Sequence, residues 1–454
     1  MGDPAEFEAA VKVAQPGDAI VLAAGVWQGA DLVVTSNATK DHPLTIRAAK
    51  RGETVLSGRS RLRIAGEYCV VDGLTFRQAF HPDDLICFRR DSKQLAEHCR
   101  VTNCVIEDCH PDNDSTPSHW LSIYGAHNRV DHCRLQGKRN RGTTLVVWLD
   151  EKRHAQAAPE HLIDHNHFVD RPELKKNGGE TIRIGDSKTS LINACVTVEH
   201  NLFERCNGEA EIISNKSCEN IYRHNTLRAC SGALTLRHGH RCRVEGNFFL
   251  GEKARGTGGV RVIGEDHVVV NNYFADLEGD DTRSGLSLMN GVPNSPLNQY
   301  AAVKRARVAF NTWVQCKRTI VIGLTDEDAN TVIPPEDCSF TGNVILSRRG
   351  PLVEYRTPPT RLQASANLAF GAKLGIESSE GWEALDPQLE LGDDRLWRPN
   401  ATSPVTWQGG TNGELPPLDI DGQPRGTLPD RGCDQRSAKP VLFRPLQPGD
   451  VGPR

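Results

Sequence analysis

The sequence predicts an all-β fold, a single-domain right-handed parallel β-helix (a solenoid of short strands) with a helical N-terminal cap. Three observations support this prediction: an internal repeat, apolar residues that alternate with polar ones as in strands, and an unusual composition. Of the 454 residues, 38% are hydrophobic and 6% are aromatic, and the mean hydropathy is -0.47. Such a composition suits a thin core under a large polar surface.

The repeat consists of an apolar residue, two polar residues, an asparagine, any residue and a second apolar residue. Its asparagines are Asn166, Asn201, Asn225, Asn247, Asn272, Asn311, Asn343 and Asn367. The base period is 22–25 residues, with longer steps at some coils. A period in this range indicates a solenoid, and the lack of helical character and of dominant leucine disfavours leucine-rich repeats. We expect the asparagines to stack at a turn, each side chain bonding to the next.

The fourteen cysteines contain no Cys-x-x-Cys pair, which argues against disulfide and metal-binding interpretations. Four of them, Cys206, Cys218, Cys230 and Cys242, are spaced by 12 residues. This regular spacing predicts stacked interior positions, because cysteine often serves as a small buried hydrophobe.

The two ends of the chain differ from the repeat. Phe7, Ala10, Val11 and Ala14 are spaced like one face of an amphipathic helix, which would protect the open edge of the solenoid. We predict an N-terminal cap over residues 1–25, a β-helix catalytic domain over 26–397, and an irregular segment packed on the β-helix over 398–454.

Charge and hydropathy limit the partners. No run of 18 apolar residues is present, so we expect no membrane span. The net charge of -4 argues against a general nucleic-acid binder. We expect a monomer that is secreted or periplasmic, with a leader absent from the given chain.

Three consecutive coils carry polar side chains at positions that alternate with apolar ones. If Ala210 and Ile212 face inward, Glu209 and Glu211 both face outward, because residues two apart on a strand share a face. Coils stack at about 4.8 Å, so one lateral face is expected to combine an oxygen-rich group with a basic group. The oxygen-rich group is Asn177, Glu180, Glu209 and Glu211, and the basic group is Arg183, Lys216, Arg237 and His238.

This oxygen-rich group predicts a Ca²⁺ cofactor, because hard oxygen ligands at this density suit calcium. Zinc would require His or Cys ligands in a tetrahedron. The alternative is a ladder of surface salt bridges, but like charges on neighbouring strands are unfavourable without a cation.

Two further sets of residues leave alternatives open. The basic stretch either contacts an anionic polymer or is solvated, and its members are Arg134, Lys138, Arg139 and Arg141. The aromatic set either stacks on sugars or, as we favour, packs within the protein, and its members are Trp120, Tyr124 and Trp148.

The segments 177–185, 207–217 and 234–239 resemble polysaccharide lyase family 6, whose members are alginate lyases and chondroitinase B. The specific part is Glu-x-Glu, a lysine five residues later, and Arg-His-Gly a further 21 residues on. The likeness extends to the N-terminal cap and to residues 419–425, and so covers nearly the whole chain. It implies that Lys216 is the Brønsted base, that Arg237 is the acid, and that the oxygen-rich group binds calcium.

The implied reaction is β-elimination of a uronic-acid polymer, in which the proton at C5 is removed and the bond to O4 breaks. Lys216 in its neutral form can accept that proton, and Arg183, His238 and Arg261 are expected to contact the substrate. A guanidinium hardly gives up a proton, so Arg237 can instead stabilise the leaving oxygen while water, His238 or a tyrosine supplies the proton.

The leading hypothesis is therefore a calcium-dependent alginate lyase. The alternatives are a chondroitin or dermatan sulfate lyase, a calcium-dependent pectate lyase, and a non-catalytic carbohydrate-binding β-helix.

Overall fold

The computed structural model describes residues 1–326, 329–407 and 416–454. It contains the helices α1 (Pro4–Val13) and α2 (Glu151–His154), a 3-10 turn at Asp281–Arg283, and many short strands. The chain forms two compact units. The N-terminal unit is Met1–Ser214 with Leu446–Arg454, and the C-terminal unit is Asn215–Pro445. None of the helices in the described part of the chain has the length and apolar character needed to span a membrane.

Short parallel strands build the N-terminal unit. In chain order they are β1 (Ala19–Leu22), β2 (Gly25–Gln28), β3 (Asp31–Asn37), β4 (Leu44–Ala48), β5 (Thr54–Gly58), β6 (Arg61–Glu67), β7 (Cys69–Asp72), β8 (Thr75–Ala79), β9 (Asp84–Cys87), β10 (Ala96–Glu97), β11 (Arg100–Thr102), β12 (Val105–Glu107), β13 (His119–Ile123), β14 (Arg129–Asp131), β15 (Arg134–Gln136), β16 (Leu145–Val147), β17 (Leu162–Asp164), β18 (His167–Arg171), β19 (Ile182–Gly185), β20 (Thr197–Glu199), β21 (Leu202–Cys206) and β22 (Glu211–Lys216). The last two residues of β22 belong to the C-terminal unit.

The strands of the C-terminal unit repeat the same pattern. They are β23 (Ile221–Arg223), β24 (Thr226–Arg228), β25 (Gly232–His238), β26 (Arg243–Glu245), β27 (Phe248–Leu250), β28 (Thr257–Val262), β29 (Val268–Val270), β30 (Tyr273–Ala275), β31 (Leu286–Met289), β32 (Arg307–Ala309), β33 (Thr312–Val314), β34 (Ile320–Leu324), β35 (Ser339–Thr341), β36 (Val344–Ser347), β37 (Val353–Tyr355), β38 (Gln363–Ser365), β39 (Asn367–Gly371), β40 (Trp382–Glu383), β41 (Leu389–Leu391) and β42 (Trp397–Pro399). Only β41 and β42, among the pairs of named strands that the structure describes, pair antiparallel.

In each unit the parallel strands fall into three sheets, and neighbouring strands of one sheet are usually three apart in chain order. The sheet that carries the candidate site runs in the order β6-β9-β13-β16-β19-β22 in the N-terminal unit, with β3 and β10 also paired to β6. In the C-terminal unit the corresponding order is β25-β28-β31-β34-β37. This arrangement confirms the prediction of a right-handed parallel β-helix.

The predicted N-terminal helix is also present. Asp3 caps α1 by accepting hydrogen bonds from the backbone of Ala5 and Glu6, which satisfies donors that have no partner within the helix. Phe7 is buried, and Ala10 lies half-buried on the same face. The helix therefore contributes an apolar face at the start of the first coils.

The predicted asparagine ladder forms within both units. In the N-terminal unit the Asn166 amide donates to Asn201 Oδ1 at 3.0 Å. In the C-terminal unit Asn225, Asn247, Asn272, Asn311, Asn343 and Asn367 are linked in the same way, at 2.9–3.1 Å. The asparagine side chains therefore occupy the same turn in successive coils, where each one satisfies buried polar groups.

The fourteen cysteines are thiols, and thirteen of them are buried. They act as interior hydrophobes, as the 12-residue spacing predicts. Aromatic rings stack in the same interior, for example Phe249 on Phe274 at 4.7 Å and Phe274 on Trp313 at 5.1 Å. The domain boundaries proposed from the sequence stay predictions.

Candidate active site

The oxygen-rich group lies in the N-terminal unit, beside β19 and β22. Glu180 lies two residues before β19, Glu209 lies in the bend before β22, and Glu211 is the first residue of β22. Asn177 is exposed in the loop between β18 and β19. Glu180 is buried, and its Oε2 has no hydrogen-bond partner among the described residues.

Glu209 is held by the backbone of the preceding coil. Its Oε2 accepts hydrogen bonds from the amides of Gly178 at 2.7 Å and Gly179 at 3.0 Å. This approach requires glycine, since a Cβ on Gly179 would lie 2.4 Å from the carbonyl oxygen of Gly208, and one on Gly208 would lie 2.1 Å from that of Gly179. The two Asn-Gly motifs of the sequence are thus explained by close packing of two coils.

The carboxylates in this group influence one another. Burial raises the pKa of Glu209 to about 7, and the charges of Glu180 and Glu211 act in the same direction, against the two glycine amides. The Glu211 carboxylate accepts a hydrogen bond from the Ser214 hydroxyl at 2.5 Å. A positive charge placed here would relieve the repulsion.

The donors fit calcium in chemical type, because they are carboxylate and amide oxygens and one buried oxygen has no partner. Nevertheless, in the described part of the chain no three Asp, Glu, His or Cys side chains are grouped closely enough to hold a metal ion. The calcium site therefore stays a prediction that rests on the donor set and its charge.

One inward position was assigned wrongly from the sequence. Ala210 is exposed, because the strand begins only at Glu211 and residues 208–210 form a bend. Strict alternation does not apply to a bend, so the outward orientation of Glu209 depends on its amide contacts rather than on strand geometry.

Sequence reasoning missed Arg171, whose guanidinium supports the loop that contains Gly178 and Gly179. Arg171 is almost fully buried, and its guanidinium donates to the carbonyl oxygens of Gly179 at 2.6 Å, Gly142 at 2.8 Å and Lys138 at 3.2 Å. Burial lowers the pKa of Arg171 to about 10. The only signal in the sequence that could have identified Arg171 is its position at the end of β18, eight residues before Gly179.

Lys138, one of the basic residues proposed to be solvated or to contact a polymer, is instead fully buried. Its ammonium group donates to the side-chain oxygen of Asn140 at 2.7 Å and to the carbonyl oxygen of the same residue. Burial lowers the pKa of Lys138 well below its usual value. Lys138 therefore supports the loop instead of contacting a ligand.

Arg183 lies half-exposed on β19, as the strand pattern predicts. Its guanidinium lies over the ring of Trp148 at 5.0 Å, and Trp148 stacks on Tyr124 at 6.0 Å. Trp120 is buried and donates to the carbonyl oxygen of Cys109. The interpretation of these aromatic residues as packing within the protein is supported.

The basic group other than Arg183 lies in the C-terminal unit. Lys216 ends β22, Arg237 and His238 end β25, and Arg261 lies on β28 next to Thr235 of β25. His238 is buried, and burial together with the charges of Arg237 and Lys216 lowers its pKa to about 3. His238 is therefore a neutral imidazole at physiological pH, with two basic side chains nearby.

Tyr300 and Asp326 complete this group, and sequence reasoning did not identify either of them. Arg237 lies over the Tyr300 ring at 4.1 Å, and Arg261 donates to the Tyr300 hydroxyl at 3.2 Å. That hydroxyl donates to Asp326 at 2.6 Å. Burial raises the pKa of Tyr300, so its hydroxyl keeps its proton. The available signal was the 39-residue step between Asn272 and Asn311, the longest in the ladder, which contains Tyr300.

The structure thus describes two groups, an acidic one in the N-terminal unit and a basic one in the C-terminal unit. Within the basic group, Lys216 and Arg237 both lie near His238, as the spacing of 21 residues predicts. The catalytic, substrate-binding and metal-binding roles stay predictions.

Comparison with known proteins identifies the family. The family description that matches is Chondroitinase B, over residues 2–343. A family 6 alginate lyase, AlyGC, is 35% identical with a TM-score of 0.88, and the match covers 100% of this chain and 58% of that one. The chain therefore spans little more than half of that relative. A comparison with curated proteins gave no match.

Two further solved structures are similar along most of their own length. A mannuronic acid-specific family 6 lyase from human gut microbiota is 31% identical with a TM-score of 0.75, covering 85% of this chain and 90% of that one. A family 6 polysaccharide lyase from Pseudopedobacter saltans is 25% identical with a TM-score of 0.72, covering 100% and 98%. Because the family match extends over most of the sequence, the chain belongs to the chondroitinase B family, polysaccharide lyase family 6.

Proposed function

We propose that this protein is a polysaccharide lyase that cleaves alginate by β-elimination, with Ca²⁺ as its cofactor. The observation that carries the proposal is the position of Lys216 at the end of β22 and of Arg237 and His238 at the end of the neighbouring strand β25, in a member of family 6. Two relatives above 30% identity, named as an alginate lyase and a mannuronic acid-specific lyase, support alginate as the substrate.

The first part of the reaction is a proton transfer. Lys216, in its neutral form, takes the proton from C5 of a uronate residue, and the electron pair left behind forms the C4–C5 double bond. The bond between C4 and the glycosidic oxygen breaks, and that oxygen leaves with the neighbouring sugar as a new reducing end. A base in direct contact with the proton commonly contributes a hundredfold or more, about 10²–10⁴.

Arg237 stabilises the leaving oxygen. Its guanidinium donates hydrogen bonds to the developing negative charge, and a water molecule supplies the proton, since a guanidinium rarely releases one. The Tyr300 ring under Arg237 and the contact between Tyr300 and Arg261 hold the two guanidiniums near each other. Arg183, His238 and Arg261 contribute hydrogen-bond donors to the polymer carboxylates and hydroxyls.

The residues that would hold Ca²⁺ are Asn177, Glu180, Glu209 and Glu211. Bound there, Ca²⁺ would offset the charge of the substrate carboxylate, which otherwise opposes the loss of the C5 proton. The Glu180 oxygen without a partner and the mutual repulsion of the carboxylates favour a cation at this position.

A second candidate function is cleavage of dermatan or chondroitin sulfate. It is favoured by the family description that matches the chain, which is named for chondroitinase B. The reaction would be the same, and the sulfate groups would require basic residues in outer parts of the groove.

The test is to incubate the protein separately with alginate, dermatan sulfate, chondroitin sulfate and polygalacturonate and to follow ultraviolet absorbance of the unsaturated product. We expect product from alginate. Product from dermatan or chondroitin sulfate alone would support the second candidate, and product from polygalacturonate alone a pectate lyase. Absence of product from all four, with binding retained, would support a non-catalytic carbohydrate-binding β-helix.

Calcium is tested by titration calorimetry and by activity. We expect Ca²⁺ to bind the metal-stripped protein and to raise its unfolding temperature, since a ligand of the folded state stabilises it. Glu211→Gln should weaken both effects, while Glu219→Gln, at a half-buried bend residue paired with Arg241, should not. Calcium binding that is unchanged in Glu211→Gln would contradict the assigned site.

The predicted monomer and the predicted secreted or periplasmic location also stay proposals. A polymeric substrate supports the secreted or periplasmic location, because an enzyme encounters long polysaccharides outside the cytoplasm.

A further inference from the structure

A pocket of about 540 Å³ lies in the N-terminal unit at some distance from the acidic group. Its walls come from β6, β9 and β13 and from the loop after β9, and include Arg61, Asp84, Arg89, His119 and Trp148. The volume is in the range of small-molecule sites. In the sheet order, β9 is four strands from β22, which corresponds to about 19 Å at the usual strand spacing.

Arg89 is the half-buried cation that this pocket offers to a ligand, beside the exposed Arg90 at its rim. Arg61 and Arg63 are both paired with Asp31, at 2.8 and 3.1 Å. In contrast, no carboxylate of the described residues forms a salt bridge with Arg89, and its guanidinium lies over the Tyr124 ring at 3.9 Å. The ring fixes the plane of the guanidinium, so its donors are pre-organised for a carboxylate.

The pocket also contains acceptors. Asp84 is buried, accepts a hydrogen bond from the Ser122 hydroxyl at 2.5 Å, and has a pKa raised by burial. The exposed side chains of Asp83 and Asp91 also line the pocket. These acids would repel a compact dianion such as phosphate. They suit a ligand that has several hydroxyl groups as well as a single negative charge, which describes a uronic acid.

A stack of side chains connects the pocket to Arg183, which we expect to contact substrate. The Arg89 guanidinium, the Tyr124 ring, the Trp148 ring and the Arg183 guanidinium follow one another at 3.9, 6.0 and 5.0 Å. Each aromatic ring is thereby close to one guanidinium and to the other ring. Two guanidiniums are thus fixed at opposite ends of the stack, along the direction in which the coils repeat.

We propose that this Arg89 pocket is a distal subsite that binds one uronate residue of the polymer, with Arg89 contacting its carboxylate and Asp84 a hydroxyl. The inference rests on the proposed lyase function. A short oligomer centred on the cleaved bond cannot reach four strands along the sheet, whereas a longer one can. The pocket therefore makes cleavage depend on chain length.

The test compares uronate oligomers from trimer to octamer with the native protein and with Arg89→Gln. The native protein should show kcat/KM that rises with length. Arg89→Gln should cleave the trimer normally and lose about tenfold in kcat/KM on the octamer, the loss expected for one charge-assisted hydrogen bond. Arg47→Gln is the matched control, because Arg47 is exposed on β4 in another sheet, and it should match the native protein at every length.

Equal effects of Arg89→Gln on trimer and octamer, or no effect on either, would overturn the distal subsite. If the native protein cleaves no uronate oligomer, the lyase proposal fails, and calorimetric binding of the octamer then tests the pocket separately. In that case weaker octamer binding by Arg89→Gln supports the subsite, and equal binding by the two proteins rejects it.

Discussion

At the scale of single residues, Arg171 illustrates a buried charge that is satisfied by backbone rather than by a carboxylate. It donates to carbonyl oxygens in two loops, around Gly142 and Gly179, and the amide of Gly179 in turn holds Glu209. Arg171 is thus a positioning residue, because its hydrogen bonds hold the loop that carries the partners of Glu209, while its charge acts on Glu180 and Glu209. Five donors in one plane suit this role.

We expect Arg171→Lys to destabilise the protein by about 3 kcal/mol, because lysine cannot reach the carbonyl oxygens of both loops and leaves buried acceptors unpaired. Calcium affinity should fall as well, since Glu209 loses its fixed partner. Urea unfolding and calcium calorimetry measure the two effects. Arg205→Lys, at an exposed arginine paired with Asp170, is the control and should cost less than about 1 kcal/mol. An unchanged calcium affinity in Arg171→Lys would contradict the positioning role.

Replacement of Lys216 should have the most direct effect on turnover. Lys216→Ala removes the proposed base and leaves the acidic group and the core in place. Turnover of the preferred polymer should fall by at least about a hundredfold, while binding of an oligomer, followed by calorimetry, should persist. Lys188→Ala, at an exposed loop residue, should behave like the native protein. Turnover of Lys216→Ala within a few-fold of native would show that another group is the base.

At the scale of structural elements, the asparagine ladder is the feature that couples one coil to the next. Asn272 accepts from the backbone and side-chain amides of Asn247 at 2.9 Å and donates to the side chain of Asn311 at 3.0 Å. It also donates to the carbonyl oxygens of Val244 and Val270. One side chain therefore satisfies polar groups in three successive coils.

Asn272→Ala should consequently lower the free energy of unfolding by about 3 kcal/mol, since several buried groups lose their partner at once. Denaturant unfolding gives the value directly. Asn37→Ala, at an exposed strand position, should change stability by no more than about 0.5 kcal/mol. A similar small change in Asn272→Ala would mean that water replaces the ladder bonds at little cost.

At the scale of the whole molecule, buried neutral histidines link stability to pH. Burial is the first cause of a lowered pKa at four of them, to about 3 or about 4, at His119, His161, His238 and His267. In the unfolded chain the pKa of histidine is about 6.5. At a pH between the folded and unfolded pKa values, the unfolded chain binds more protons than the folded protein. The histidines therefore make their full contribution to the free energy of unfolding above about pH 6.5, and this contribution decreases as the pH drops.

Four acids act in the opposite direction, because burial raises the pKa of Glu209 to about 7 and that of Asp434 to about 6, and also raises the pKa of Asp84 and Asp421. Nine histidines have a lowered pKa and outnumber these acids, so we expect the free energy of unfolding to decrease from pH 7 to pH 5. Each histidine contributes up to about 1.4 kcal/mol per pH unit. His161→Gln should reduce the slope of the free energy of unfolding against pH by the contribution of one histidine. His42→Gln, at an exposed site, should leave this slope unchanged. A slope that is the same in His161→Gln and the native protein would contradict the assignment.

Much of the fold could be predicted from the sequence, because a solenoid repeats one short unit. Each coil places its Asn, its apolar residues and its cysteines at the same points, so the period alone reveals the ladder and the interior positions. The candidate site residues could be identified for the same reason, as departures from that repeat on three successive coils. The assignment of Ala210 failed where the repeat gives way to a bend.

The contacts that shape the site depend on tertiary structure. Tyr300 reaches Arg237 and Arg261 from an inserted loop, and the path of an insertion cannot be read from a period that it interrupts. Arg89, Tyr124, Trp148 and Arg183 come from four separate coils, and nothing in their local sequence specifies that they stack. A periodic sequence therefore determined the stacked coils by itself, whereas the partners of each outward side chain were decided only by the loops, because loop conformation depends on the whole folded surface beneath it.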